Sequence, residues 1–120
     1  MGSINRVFIM GNLGKDPETK ESENGRARTT FNIATNESWT DKLTGQRVDR
    51  TEWHHVVSWG KTAELAAKYL GKGSQVCVEG RLQTHKWQDK EGKDHSTTEV
   101  VADEITFVGR PREAIAAMTV

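Results

Sequence analysis

At 120 residues the chain is one domain in size, able to bury a core but too short to divide into two. Its 34% apolar and 28% charged content suits a small domain with much surface, and no apolar run is long enough for a membrane-spanning helix or a signal-peptide core, so a cytoplasmic location is expected. The 17 basic and 17 acidic side chains cancel, which removes any composition-level case for a polyanionic partner, and a single cysteine, Cys77, excludes an intrachain disulfide or thiolate metal cluster.

The run from Asn5 to Asn12 is apolar at Val7, Phe8, Ile9 and Met10 and rich in β-branched and aromatic residues, which predicts a first strand covered on both faces. Gly14-Lys15-Asp16-Pro17 ends it, and the polar stretch Glu18 to Gly25 reads as a connection. From Thr29 to Trp39, Phe31, Ile33 and Thr35 alternate with Thr30, Asn32, Ala34 and Asn36, the pattern of a second strand with one buried face. Turn residues Asp41 to Gly45 lead to a third strand, Val48 to Trp59, with Trp53, His55, Val57 and Trp59 on one side.

Lys61 to Leu70 breaks the alternation and predicts a short helix, capped by Thr62, with Leu65 and Tyr69 on one face and Gly71 and Gly73 stopping it. Ser74 to Trp87 returns to period two, Gly80 offering a bend, and Asp89 to Lys93 forms a hairpin tip before the last strand, Thr97 to Val108. The order β-β-β-α-β-β is that of an all-β, five-stranded OB-type Greek-key barrel with a helix between strands 3 and 4, an order other small β folds share.

Four tryptophans, against three phenylalanines and one tyrosine, are many for this length, and Trp39, Trp53, Trp59 and Trp87 fall at strand ends or beside hairpins. Plugging a core is the plain explanation for a large aromatic residue. Their neighbours argue otherwise: Trp39 lies between Ser38 and Thr40 with Lys42 close by, Gly60-Lys61 follows Trp59, and Lys86 precedes Trp87 on a strand carrying Arg81, Gln83 and His85. Exposed indoles interleaved with cations suit a single-stranded nucleic acid, whose bases stack on the rings while its phosphates meet the cations.

The segments Val7 to Glu18, Asn36-Glu-Ser-Trp39, Thr51-Glu-Trp-His54, Gly71-Lys-Gly-Ser-Gln-Val76 and Lys86-Trp87, in this order from about Ile4 to Phe107, resemble the bacterial single-stranded-DNA-binding protein family. That resemblance implies a non-catalytic OB-fold homotetramer without a cofactor, binding single-stranded DNA regardless of sequence and protecting it in replication, recombination and repair. Trp39, Trp53 and Trp87 match the family's stacking tryptophans, and Trp59 falls where the family commonly has a stacking phenylalanine. Lys42, Lys61, Lys72 and Lys86 match basic positions along the groove, with Arg6 and Arg81 placed beside them as phosphate contacts. His54 matches a subunit-interface histidine, and Cys77 is expected at a subunit or core surface. A bacterial nucleoid-associated location is implied as well.

Gln83 and His85 stand where the family is commonly more basic, so a less cationic track is expected. Residues 109–120 read as a short extension after a 1–108 binding domain; with one acidic residue they do not match the family's acidic tip, and recruitment of other proteins through a tail is not carried over. This leaves as alternatives a replication or conjugation accessory scaffold acting mainly through protein contacts, and a binder of single-stranded RNA. Gly60-Lys61-Thr62 imitates the end of a phosphate loop, but the glycine needed at position 55 is His55. His54, His55, His85 and His95 lack zinc-site spacing, so no metal is expected.

Overall fold

The computed structural model describes residues 2–22 and 24–109; the expected extension beyond residue 109 lies outside them. Its elements are β1 (Val7–Leu13), β2 (Glu18–Glu21), β3 (Ala27–Thr40), β4 (Arg47–Trp59), α1 (Gly60–Tyr69), β5 (Gln75–Gln88) and β6 (Asp94–Gly109). The sheet order is β1-β5-β6-β4-β3-β2, and pairing of Asn12 and Leu13 on β1 with Ala34 and Ile33 on β3 joins its ends. A short parallel contact, Val56 with Val100 and Val57 with Val101, links the β3–β4 hairpin to the β5–β6 hairpin. The five long strands thus close a barrel of the expected OB type, with the helix between β4 and β5.

Strand alternation supplies the core. Ile9 and Leu13, Phe31 and Ile33, Val76 and Val78, and Val100 with Ala102 turn inward from four strands, and Val56 joins them from β4. Helix α1 closes the barrel end with Ala66, and Leu70, the extended residue just after the helix, joins the same cluster. The helix is pinned there by the buried Thr29 hydroxyl, which donates to the Ala63 carbonyl at 2.8 Å. At Gly80 the β5–β6 register shifts, and a Cβ there would fall 2.0 Å from the Val101 carbonyl oxygen, so only glycine lets the two strands bend together at the barrel wall.

Three local expectations change. Glu18–Glu21, expected as a connection, pairs with Ala27–Thr30 of β3 as an edge strand; all four of its residues are exposed, so no apolar alternation marks it. β1 is covered on one face only: Ile9 and Leu13 are buried while Phe8 and Met10 are 68% and 57% exposed. Thr62 does not cap α1, because the helix starts earlier: Trp59 is the extended N-cap, no side chain bonds the cap, and Gly60 takes φ 62° at the strand-to-helix corner.

Beyond the barrel both hairpins continue as two-stranded arms. In β3 every residue from Asn36 to Thr40 is exposed, and in β5 every residue from Arg81 to Gln88. An arm without a covering layer cannot draw rigidity from a core; cross-strand pairs must supply it. Thr51 donates to Asn36 at 2.8 Å and Arg47 to Ser38 at 3.1 Å on one arm, and the Thr84 and Thr98 hydroxyls meet at 3.2 Å on the other.

Candidate nucleic-acid interface

Trp39, Trp53 and Trp87 are 47%, 57% and 45% exposed, while Trp59 is half-buried. An indole left this open forgoes the burial that makes tryptophan a core residue, so three of the four rings stand ready for an outside partner. The unbroken β3–β4 register sets their directions: Trp53 pairs with Ala34, Trp59 with Arg28 and Trp39 with Val48. Directly paired residues share a face, so Trp53 and Trp59 lie on one face of this ribbon, about 20 Å apart along β4, and Trp39 on the other. Trp87 belongs to the second arm. The four rings therefore do not form one row; they are spread over two faces of the β3–β4 ribbon, from the barrel end to the arm, and over the other arm.

Each ring has its own mount. A Cβ on Gly14 would fall 2.5 Å from the Trp53 indole, so the bare backbone after β1 is the surface against which that ring lies. Between Trp53 and Trp59, His55 is held with Nδ1 3.0 Å from Asn32 Oδ1 and Nε2 3.8 Å from Glu99. Trp87 donates its Nε1–H to the Thr97 hydroxyl at 3.2 Å, and the His95 ring, its cross-strand partner, stacks on it with centroids 4.5 Å apart at 20°. His95 Nε2 in turn lies 2.8 Å from Asp89 Oδ2. That bond, followed by the Lys93 amide, holds the Asp89 carboxyl below its ordinary range. A groove lined by Lys86, Trp87, Gln88, Asp94, His95 and Ser96 runs along this hairpin tip.

The expected phosphate contacts divide into two groups. Lys42 in the β3–β4 turn, Lys61 in the first turn of α1, Lys72 after the helix and Lys86 on the second arm are exposed and in no ion pair among the described residues. Arg6 and Arg81 are instead paired, with Glu79 and with Asp103 at 2.9 Å. The Lys72 amide also donates to Asp16 at 2.8 Å, fixing the turn that carries its side chain. Two cations escape a reading of the sequence: the guanidinium carbons of Arg26 and Arg28 lie over the Trp59 ring, 5.2 and 5.7 Å from its centroid.

The expected interface residues separate in the same way. Half-buried Cys77 sits across from Met10 on β1, on the wall that leaves Phe8 and Met10 open. His54, on the opposite face of β4 from Trp53, bonds the Thr35 hydroxyl at 2.9 Å. Among the described residues no three His, Cys, Asp or Glu gather as a metal site.

The family model described as the single-strand binding protein family matches residues 4–108. Among solved structures the chain is similar to the SSB of Plasmodium falciparum in complex with ssDNA, at 32% identity and a TM-score of 0.83, over 90% of this chain and 97% of that one. It is similar also to a deletion mutant of the single-stranded DNA binding protein from Thermus aquaticus, at 31% identity and a TM-score of 0.76, over 88% of this chain and 50% of that one.

Proposed function

The chain belongs to the single-strand binding protein family and binds single-stranded DNA, and from that premise we propose that it holds the strand by stacking bases on Trp39, Trp53 and Trp87. The observation that carries this is the exposure of those three indoles, Trp39 and Trp87 on arms that have no core of their own and Trp53 at the root of the first arm, paired with Ala34. Each stacked base contributes ~1–3 kcal/mol and demands no particular sequence, because every base has a π-face. Lys42, Lys61, Lys72 and Lys86 meet the phosphates; Arg6 and Arg81 join only by exchanging Glu79 and Asp103 for a phosphate. Protection of exposed strands in replication, recombination and repair is the corresponding role.

The working unit is a homo-oligomer, a tetramer by likeness to the family. Residues Val7 to Gly11 of β1 pair with β5 on one side, whereas pairing with β3 begins only at Asn12, leaving a strand edge beside exposed Phe8 and Met10. An edge of this kind with apolar neighbours is favourable to cover with a second copy. Its position beside Cys77 supports an interface role for that residue.

A stoichiometric titration with a single strand of defined length, read by light scattering, tests the proposal. The expected result is one discrete complex containing several subunits. A protein that stays monomeric contradicts the oligomer, and one that never shifts in mass with strand added contradicts the binding. Competition between DNA and RNA strands of equal length is expected to favour DNA.

A further inference from the structure

Of the six arginines among the described residues, Arg6, Arg47, Arg50 and Arg81 are in ion pairs with carboxylates. The other two, Arg26 and Arg28, share one aromatic ring. Two residues apart in an extended run, they project to the same side, and Arg28 is the direct cross-strand partner of Trp59. Bringing two guanidiniums to one indole opposes their mutual repulsion with a cation–π attraction, and neither has a described carboxylate within ion-pair distance. Further positive charge surrounds them: Lys20 lies across from Arg28 on β2, and the first turn of α1, which Trp59 caps, holds Lys61 and no acidic residue. Glu18 and Glu21 flank Lys20 on the same exposed strand without pairing to either guanidinium.

We propose that Arg26, Arg28 and Trp59 form a phosphate clasp for the nucleic-acid backbone, in which Trp59 serves as the mount for two guanidiniums and not as a free base platform. Held over the indole, the two guanidiniums have no described carboxylate to occupy their N–H donors, which can meet a phosphate bidentately. Trp53, on the same face of β4, takes a base while the clasp takes the backbone at the barrel end of the ribbon, setting the direction in which the strand leaves the arm. This rests on the single-strand-binding reading above.

The salt dependence of oligo(dT) binding, followed by anisotropy of a labelled strand, tests it. For the variant R26Q/R28Q the slope of log K against log[salt] is expected to be shallower by ~1.4, and affinity lower by about 20-fold near ~0.1 M salt, since each single-strand phosphate contact contributes ~0.7 to the slope. R26K/R28K, which keeps the charges, is expected to recover most of the slope. Trp59→Ala should weaken binding in the wild-type chain and change nothing further in R26Q/R28Q. A wild-type slope in R26Q/R28Q, or a Trp59→Ala loss that persists in that background, overturns the clasp while leaving strand binding intact. A wild-type chain that fails to bind overturns the underlying reading as well. Arg26 is exposed, and Arg28 is half-buried and outside the barrel's core cluster, so the R26Q/R28Q result does not depend on whether Trp59→Ala folds.

Discussion

The barrel and its two arms are made from the same strands, yet they use opposite chemistry. Within the barrel, Ile33, Val56, Val76 and Val78 are fully buried, and the buried hydroxyls of Thr29 and Ser58 both find carbonyl partners. Along the arms no residue of Asn36–Thr40 or Arg81–Gln88 is buried, and indoles stand open. A strand that leaves its core stops contributing hydrophobic stability and becomes free to offer aromatic faces to a ligand. Stability and binding are therefore expected to respond to different substitutions.

The sharpest way to break that separation is to remove two of the exposed rings together, one at the root of the first arm and one on the second. Trp53→Ala with Trp87→Ala should weaken strand binding by ~2–6 kcal/mol, roughly 30-fold to 10⁴-fold, with little change in melting temperature. Parallel losses in both measurements would show that the arms carry stability after all. In the barrel, Ile33→Ala should cost ~2–5 kcal/mol of stability, lowering Tm by on the order of 10 °C, while the protein still folded at low temperature binds as before.

Gly14→Val crosses the boundary between the regions. It lies in the loop leaving β1 but abuts Trp53, so it should reduce affinity by ~1–3 kcal/mol through that ring, with a smaller effect on unfolding. Smallest of all is the effect of acid on the second arm. Folding lowers the Asp89 pKa, so its bond to His95 contributes fully above the ordinary aspartate range, and the contribution is lost as pH falls through the lowered value. Hydrogen exchange at the tip amides of Glu91 and Lys93 should show excess opening in acid that Asp89→Asn abolishes, while barrel amides stay protected.

The barrel was largely legible in the sequence, because burial on one face leaves an alternation that can be read, as in Phe31 and Ile33 or Val76 and Val78. Where burial does not set the pattern, the reading fails. β2 carries Glu-Thr-Lys-Glu and is held by backbone pairing and one hydroxyl contact, Thr19 with Thr29 at 2.9 Å, with no apolar side chain to mark it. The consecutive apolar residues of β1 imply two covered faces, whereas the single chain covers one. Trp39, Trp59 and Trp87 were legible as candidates by their polar neighbours and Trp53 by the family resemblance, but not their directions: that Trp39 and Trp53 face opposite ways depends on the pairing of Trp53 with Ala34, five residues before Trp39. Arg26 and Arg28 were missed because their partner, Trp59, is some 30 residues away in the chain and adjacent only across the ladder. The Arg-Ala-Arg spacing was the one local sign of them.

Tryptophan emission during titration with oligo(dT) at low salt tests the central claim most directly, since the exposed rings are the reporters. Quenching that saturates with added strand and is reversed by salt is the predicted result. Unchanged emission from a folded protein would contradict base stacking on Trp39, Trp53 and Trp87.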